Sequence, residues 1–172
     1  MEIPPPLTGK AKRRKDARNR IGGQPLQGGK FMTKETATAL DIAIVGAGHG
    51  GAQAAISLRQ MGFTGTIGLI GDEPELPYER PPLSKEYLAG DKAFERIMLR
   101  PAAFWTEREV THFANTRIIE IDVMAQSLKA ANGATFTYGH LIWAAGGSPR
   151  MLPCPGGNAK GVFGVRRKSD VE

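Results

Sequence analysis

A short set of glycines and one aspartate, at a particular spacing, carry the most legible chemistry in this chain. The apolar run Ile42-Ala43-Ile44-Val45 enters Gly46-Ala47-Gly48-His49-Gly50-Gly51, and Asp72 follows Gly51 by 21 residues. Glycine at the first position permits a tight turn out of a strand. At the second it lets a ligand approach the backbone, and at the third it lets a helix pack closely on that strand. Free N–H groups at the start of such a helix lie at the positive end of its dipole and suit a pyrophosphate. A carboxylate about 20 residues further on is placed for a ribose. Glycine spacing alone says little in a chain with 22 glycines. The strand before it, the helix after it and the acid downstream together predict a dinucleotide-binding βαβ unit. The alternative is a βα turn that needs its glycines and binds nothing.

The elements that must hold these residues follow from periodicity and punctuation. A strand is expected over 42–45, a helix from Gly51 to a stop at Gly62, and a second buried strand over 66–70. On the helix, Gly51, Ala54, Ala55 and Leu58 share one small, apolar face, with Gln53, Ser57 and Gln60 opposite. The segment Pro77-Tyr78-Glu79-Arg80-Pro81-Pro82-Leu83-Ser84-Lys85 is too rich in proline for a helix or central strand and reads as a stiff extended connection. Ser84 is expected to cap a short helix with Lys85 in its first turn. A cation there opposes the helix dipole, so Lys85 either faces an anion or is simply solvated. Beyond it come a short strand over 96–99, a helix over 102–108 and strands over 110–113 and 117–122. A hairpin pairs 127–130 with 134–137 about Asn132-Gly133, which suits a type I′ turn. An apolar strand over 141–145 then leads into Gly146-Gly147. The fold class is α/β, a parallel Rossmann-like sheet with an inserted antiparallel β-meander.

Composition bounds the rest. The chain has 172 residues, 41% of them hydrophobic, enough for one domain and a tail. No apolar run approaches membrane-spanning length. The net charge of +6 is confined to the start: residues 1–31 hold eight basic and two acidic residues, whereas 32–172 hold fifteen of each. The tail, with Pro4-Pro5-Pro6 and a basic stretch from Lys10 to Arg20, has no helical or strand period and is expected to be disordered. No aromatic residue precedes Phe31, which disfavours base stacking and nucleic acid as a partner. The tail lacks the apolar stretch of a secretory signal. The favoured reading starts the native chain at Met32, the first 31 residues being an upstream or non-native extension. The lone Cys154 excludes an intrachain disulfide and points to a reducing, cytoplasmic setting. His49, His112 and His140 share no metal-ligand spacing, and no nucleophile–base pair is evident.

From Asp41 onward the chain resembles the N-terminal part of NADH-dependent ferredoxin reductases of the putidaredoxin and rubredoxin reductase type. The resemblance rests on Ile44-Val45-Gly46-Ala47-Gly48, Leu69-Ile70-Gly71-Asp72-Glu73, Tyr78-Glu79-Arg80-Pro81-Pro82-Leu83-Ser84-Lys85 and Gly146-Gly147-Ser148-Pro149-Arg150. Among these, Arg-Pro-Pro-Leu-Ser-Lys is the most specific. The resemblance implies FAD as the dinucleotide. It places Gly46, Gly48, Gly50 and Gly51 at the pyrophosphate, Asp72 on the adenosine ribose and Arg80 at the same end. Lys85 would sit beside the flavin ring, Ile118 would contact the adenine side through its backbone, and Arg166 would touch the cofactor. The implied reaction passes electrons from NADH through FAD to a ferredoxin- or rubredoxin-type iron–sulfur protein, with no redox disulfide.

Two departures bear on that expectation. Ala145 stands where the family usually has threonine in the turn beside the flavin. The family also continues into an NADH-binding domain and then returns to finish the FAD domain, and neither is found in 172 residues. The division is therefore a basic tail over 1–31 and a partial FAD-binding domain over 32–172, incomplete at its C-terminal end. On this view the chain alone binds FAD weakly or not at all, tends to self-associate and turns over no NADH unless a complementing chain supplies the rest. A non-enzymatic dinucleotide-binding or interaction module with a nucleic-acid-binding tail is the alternative. An NAD-binding domain is a further one, against which the Pro-Pro-Leu-Ser-Lys segment argues.

Overall fold

A computed structural model describes residues 37–172; the basic stretch over 1–31 lies outside the described residues. One sheet organises the rest. Strand β1 (Thr38–Val45) leads through helix α1 (His49–Gln60) to β2 (Ile67–Ile70). Helix α2 (Ala102–Glu107) precedes β3 (Val110–Phe113), and β4 (Ile118–Asp122), β5 (Ser127–Ala130) and β6 (Thr135–Trp143) follow, with a 3₁₀ turn at Lys168–Asp170. The strand order is β3-β2-β1-β6-β5-β4. The β3–β2, β2–β1 and β1–β6 pairs are parallel, and β6–β5 and β5–β4 are antiparallel.

Strand β1 is central because its apolar residues serve both faces. Ile42 and Ile44 join Ile67, Leu69, Val110 and Trp105 beneath α1, while Ala43 and Val45 join Ile70, Leu128, Ala130, Phe136 and Tyr138 on the other side. A strand buried on both faces reads as a continuous apolar run rather than an alternation, as this one does. Helix α1 meets the sheet through Gly51, Ala52, Ala55 and Ile56. That stripe is rotated from the expected one: Ala54 and Leu58 flank it, half-buried, instead of lying at its centre. The rotation follows from the contact between Gly51 and the turn at Gly46, which fixes which side of the helix touches the sheet.

Several local expectations need correction. The two apolar segments over 134–137 and 141–145 are one strand, β6, which pairs with β1 from Phe136 to Trp143 and with β5 only from Thr135 to Thr137. The meander is thus an extension of the same sheet. Among the described residues, β6 from His140 to Trp143 has a strand on one edge only. The hairpin turn is not type I′, because Gly133 alone has a positive φ, of 91°. Gly133 N–H donates to the Ala130 carbonyl at 3.1 Å and Ala130 N–H to the Ala134 carbonyl at 2.8 Å, giving a three-residue loop with glycine at its left-handed position. Ser84 caps no helix: Pro81–Ser84 is itself a 3₁₀ turn, followed by further turns. Instead of a strand over 96–99 there is a 3₁₀ turn, Phe94–Arg96, and a single bridge between Tyr78 and Met98. Proline density explains the first, since ring-fixed φ and missing N–H groups at Pro81 and Pro82 favour a short turn over a regular helix.

Among the described residues, no helix is long and apolar enough to cross a membrane.

Candidate functional site

The glycine turn sits where β1, β2 and β6 end together, at the carboxyl edge of the parallel strands. Ligands in open α/β sheets bind at such an edge. Gly46 has φ of 113°, and a Cβ there would lie 2.2 Å from the Ala144 carbonyl oxygen of β6's continuation. Gly51 is as constrained, because its Cβ would lie 1.9 Å from the Gly46 carbonyl oxygen. Gly48 and Gly50 differ. A Cβ at Gly48 would meet only the Arg80 guanidinium, at 4.0 Å, and one at Gly50 would meet nothing. Two glycines therefore close the turn, and two leave its outer surface bare.

Helix α1 begins at this bare surface without a side-chain cap at Gly48 and with no acidic residue in its first turn. Its first intrahelical acceptance is Ala52 N–H to the Gly48 carbonyl, 3.0 Å. The N–H groups of the first turn are left for an external acceptor. A cavity of about 270 Å³ opens directly there, lined by Gly46 to Gly50, Gly71, Asp72, Arg80, Ala145 and Arg166, among others. Beside it lies a second cavity of about 310 Å³, walled by Asp72, Thr116, Arg117, Ile118, Trp143 and Arg167 among others. Their shared walls (Gly46, Asp72, Glu73, Arg80, Ala145, Gly146 and Arg166) make one elongated cleft.

Charge in that cleft is organised by residues that periodicity could not single out. Arg80 Nη2 lies 2.6 Å from Glu73 Oε1, and Arg80 Nη1 donates to the Arg166 carbonyl at 2.5 Å. The buried Tyr78 hydroxyl donates to Glu73 Oε2 at 2.5 Å and accepts the Lys168 N–H at 3.0 Å. Burial first, and the Glu73 carboxylate second, push this phenol well above the usual tyrosine range. Asp170 accepts the N–H groups of Arg166 and Arg167 at 2.8 and 2.7 Å, which hold its carboxyl below the usual range. The closing segment is thereby strapped over the loop that follows β2. Gly146, with φ of 69°, admits the Arg166 side chain, whose Nη2 would lie 2.7 Å from a Cβ at that position.

Of the residues expected at the site, Gly46, Gly48, Gly50, Asp72, Arg80, Ile118 and Arg166 line the cleft. Gly51 lies buried behind the turn. Lys85 is exposed, outside both walls and without an ion-pair partner among the described residues. Glu73, Tyr78 and Arg167 were missed. Glu73 and Tyr78 stand inside the motifs already noted, but their pairing depends on a fold-back of the proline-rich loop. Arg167 reaches Asp72 across 95 residues of sequence, for which no local signal exists.

Residues 40–172 match the family described as pyridine nucleotide-disulphide oxidoreductase. The chain is 58% identical over 132 residues to the 5,5'-dehydrodivanillate O-demethylase ferredoxin reductase subunit of Sphingobium sp., covering 77% of this chain and 32% of that protein. It is 41% identical over 131 residues to the rubredoxin-NAD(+) reductase of Pseudomonas putida, covering 76% and 34%. Among solved structures, the ferredoxin reductase for the CYP199A2 system from Rhodopseudomonas palustris superposes with a TM-score of 0.69 at 39% identity, covering 76% of this chain and 32% of that one. A covalent putidaredoxin reductase–putidaredoxin complex gives 0.63 at 35%, covering 69% and 28%. The chain spans about a third of the length of the curated relatives it matches. With a glycine turn, a bare helix start and a facing carboxylate at one sheet edge, and with the family match running from β1 to the last residue, the chain belongs to the pyridine nucleotide-disulphide oxidoreductases.

Proposed function

We propose that residues 32–172 are the FAD-holding part of a flavoprotein that carries electrons from NADH to an iron–sulfur protein of the ferredoxin or rubredoxin type. One observation carries the reading: the uncapped start of α1 and the side-chain-free surface at Gly48 and Gly50 face the same cleft as Asp72, Arg80 and Arg166. A cleft with a bare helix start in one part, and with a carboxylate and two arginines where its two parts meet, suits a dinucleotide. Its central pyrophosphate is anionic and its ribose offers hydroxyls. The names of the relatives and of a structural neighbour support NAD(H) as donor and the acceptor class, and the choice of FAD rests on the family resemblance.

In this reading the first-turn N–H groups of α1 hold the pyrophosphate, with Arg80 and Arg166 adding charge on the facing wall. Asp72 accepts from the ribose, and Ile118 with Trp143 walls the adenosine end. Lys85 beside the flavin rests on the family resemblance. Ala145 presents no hydroxyl at the turn after β6, which removes one hydrogen bond worth about 1 kcal/mol. When bound, the flavin supplies hydride acceptance and single-electron release. The chain's residues supply the anion site, the ribose acceptor and a wall that limits water. A cytoplasmic setting fits the exposed, free Cys154. An absorption spectrum of protein refolded with FAD and desalted tests the reading. Retained flavin bands that bleach with dithionite support it, and a folded product that stays colourless even when the remaining two thirds of a relative is supplied as a second chain refutes it.

A further inference from the structure

Asp72, the carboxylate facing the ribose end, already has a partner inside the chain. Arg167 Nη2 lies 2.6 Å from Asp72 Oδ2, and both residues line the cleft. The segment that carries Arg167 does not depend on this contact for its position. Its backbone is held to the rest of the fold by Arg80 on the Arg166 carbonyl and by Tyr78 on the Lys168 N–H, while Asp170 shapes its local turn through two N–H groups. The Arg167 side chain is therefore free to exchange while the strap stays docked.

A guanidinium at this distance engages a carboxylate oxygen in a charge-assisted bond, and a ribose needs the same carboxylate as its acceptor. Glu73 offers no substitute, because Arg80 and Tyr78 occupy its two oxygens. Both partners of the Asp72–Arg167 pair are partly exposed, at 34% and 43% of their side-chain surface. Solvent screens such a pair to a modest strength, low enough for a ligand to displace it.

We propose that Arg167 is a latch on the ribose-binding carboxylate, so that an adenine nucleotide enters by displacing it and the pair sets the affinity of the site. Arg167 is a positioning residue here, acting through Asp72. The inference rests on the dinucleotide reading of the cleft and deepens it.

The test uses AMP, which reports the adenosine end without the flavin, together with FAD. Calorimetric titration of the full chain with AMP is expected to show Arg167→Gln binding two- to fivefold tighter than wild type. Arg167→Lys, which keeps the charge but loses the planar fork, moves in the same direction by less and serves if the glutamine variant does not fold. The advantage of Arg167→Gln shrinks as KCl rises from 20 to 300 mM, because salt screens the wild-type latch. A purely structural role for Arg167 would not produce that salt-dependent ratio. Equal or weaker AMP binding by the variants, a ratio insensitive to salt, or no AMP binding by any form overturns the latch. If AMP behaves as expected while FAD is not retained, the latch stands and the FAD reading falls. If FAD is retained while the AMP ratio stays at one, the reverse holds.

Discussion

Replacing Gly51 with alanine tests the central geometric claim, that α1 is held against the turn by backbone contact. The added Cβ would lie 1.9 Å from the Gly46 carbonyl oxygen, 3.1 Å from the Gly46 carbonyl carbon and 3.2 Å from Ile44 Cγ2. Two of those atoms are backbone, so no rotamer change relieves the clash. Restoring ordinary contact requires α1 to move outward by about 1.3 Å, which opens a gap along a close-packed interface. Overpacking of this kind costs about 3 kcal/mol. Alanine regains about 1 kcal/mol of helix propensity over glycine, leaving a net loss of about 2 kcal/mol. For a chain of this size that is a fall in Tm of about 6 °C. The displaced helix start also weakens FAD retention. Gly50→Ala is the matched control: nothing lies within 4 Å of its Cβ, so propensity alone acts and Tm should hold or rise by about 3 °C. Thermal unfolding followed by circular dichroism compares the two. A Gly51→Ala chain that melts at or above wild type would refute the packing argument.

Tyr78→Phe leaves the Lys168 N–H without its acceptor and Glu73 with Arg80 alone, and should cost about 1–2 kcal/mol in urea unfolding at pH 7. The same hydroxyl gives a pH signature. Its folded pKa is raised above the unfolded value of 10.0, so its stabilisation is complete below pH 10 and is lost as pH rises through the raised value. Wild type should therefore lose stability above pH 10 more steeply than Tyr78→Phe; parallel curves would contradict the assignment. Arg59→Met should be among the most damaging changes outside the cleft. The guanidinium donates to the carbonyls of Phe63, Gly65, Arg108 and Glu109 at 2.6 to 2.9 Å, tying the end of α1 to the start of β3. A loss of about 2–3 kcal/mol is expected, seen as a Tm lower by about 6–9 °C.

The βαβ unit and its glycine turn were legible in the residues alone. Those signals are local: β1 is an apolar run, Gly46 must turn at positive φ, Gly51 must let a helix approach, and Asp72 follows the next strand. Each is dictated by sterics or burial within about 30 residues. The tertiary structure decided everything that required distant segments to choose one another. It merged two apolar stretches into β6, because one strand could pair with β1 along its length and with β5 over its first turns of pleat. It folded the proline-rich loop so that Tyr78, Glu73 and Arg80 share hydrogen bonds, and it left Lys85 in solvent. It also brought Arg167 to Asp72. Contacts of this kind leave no period in the sequence, because their geometry is fixed by the packing of the elements between them.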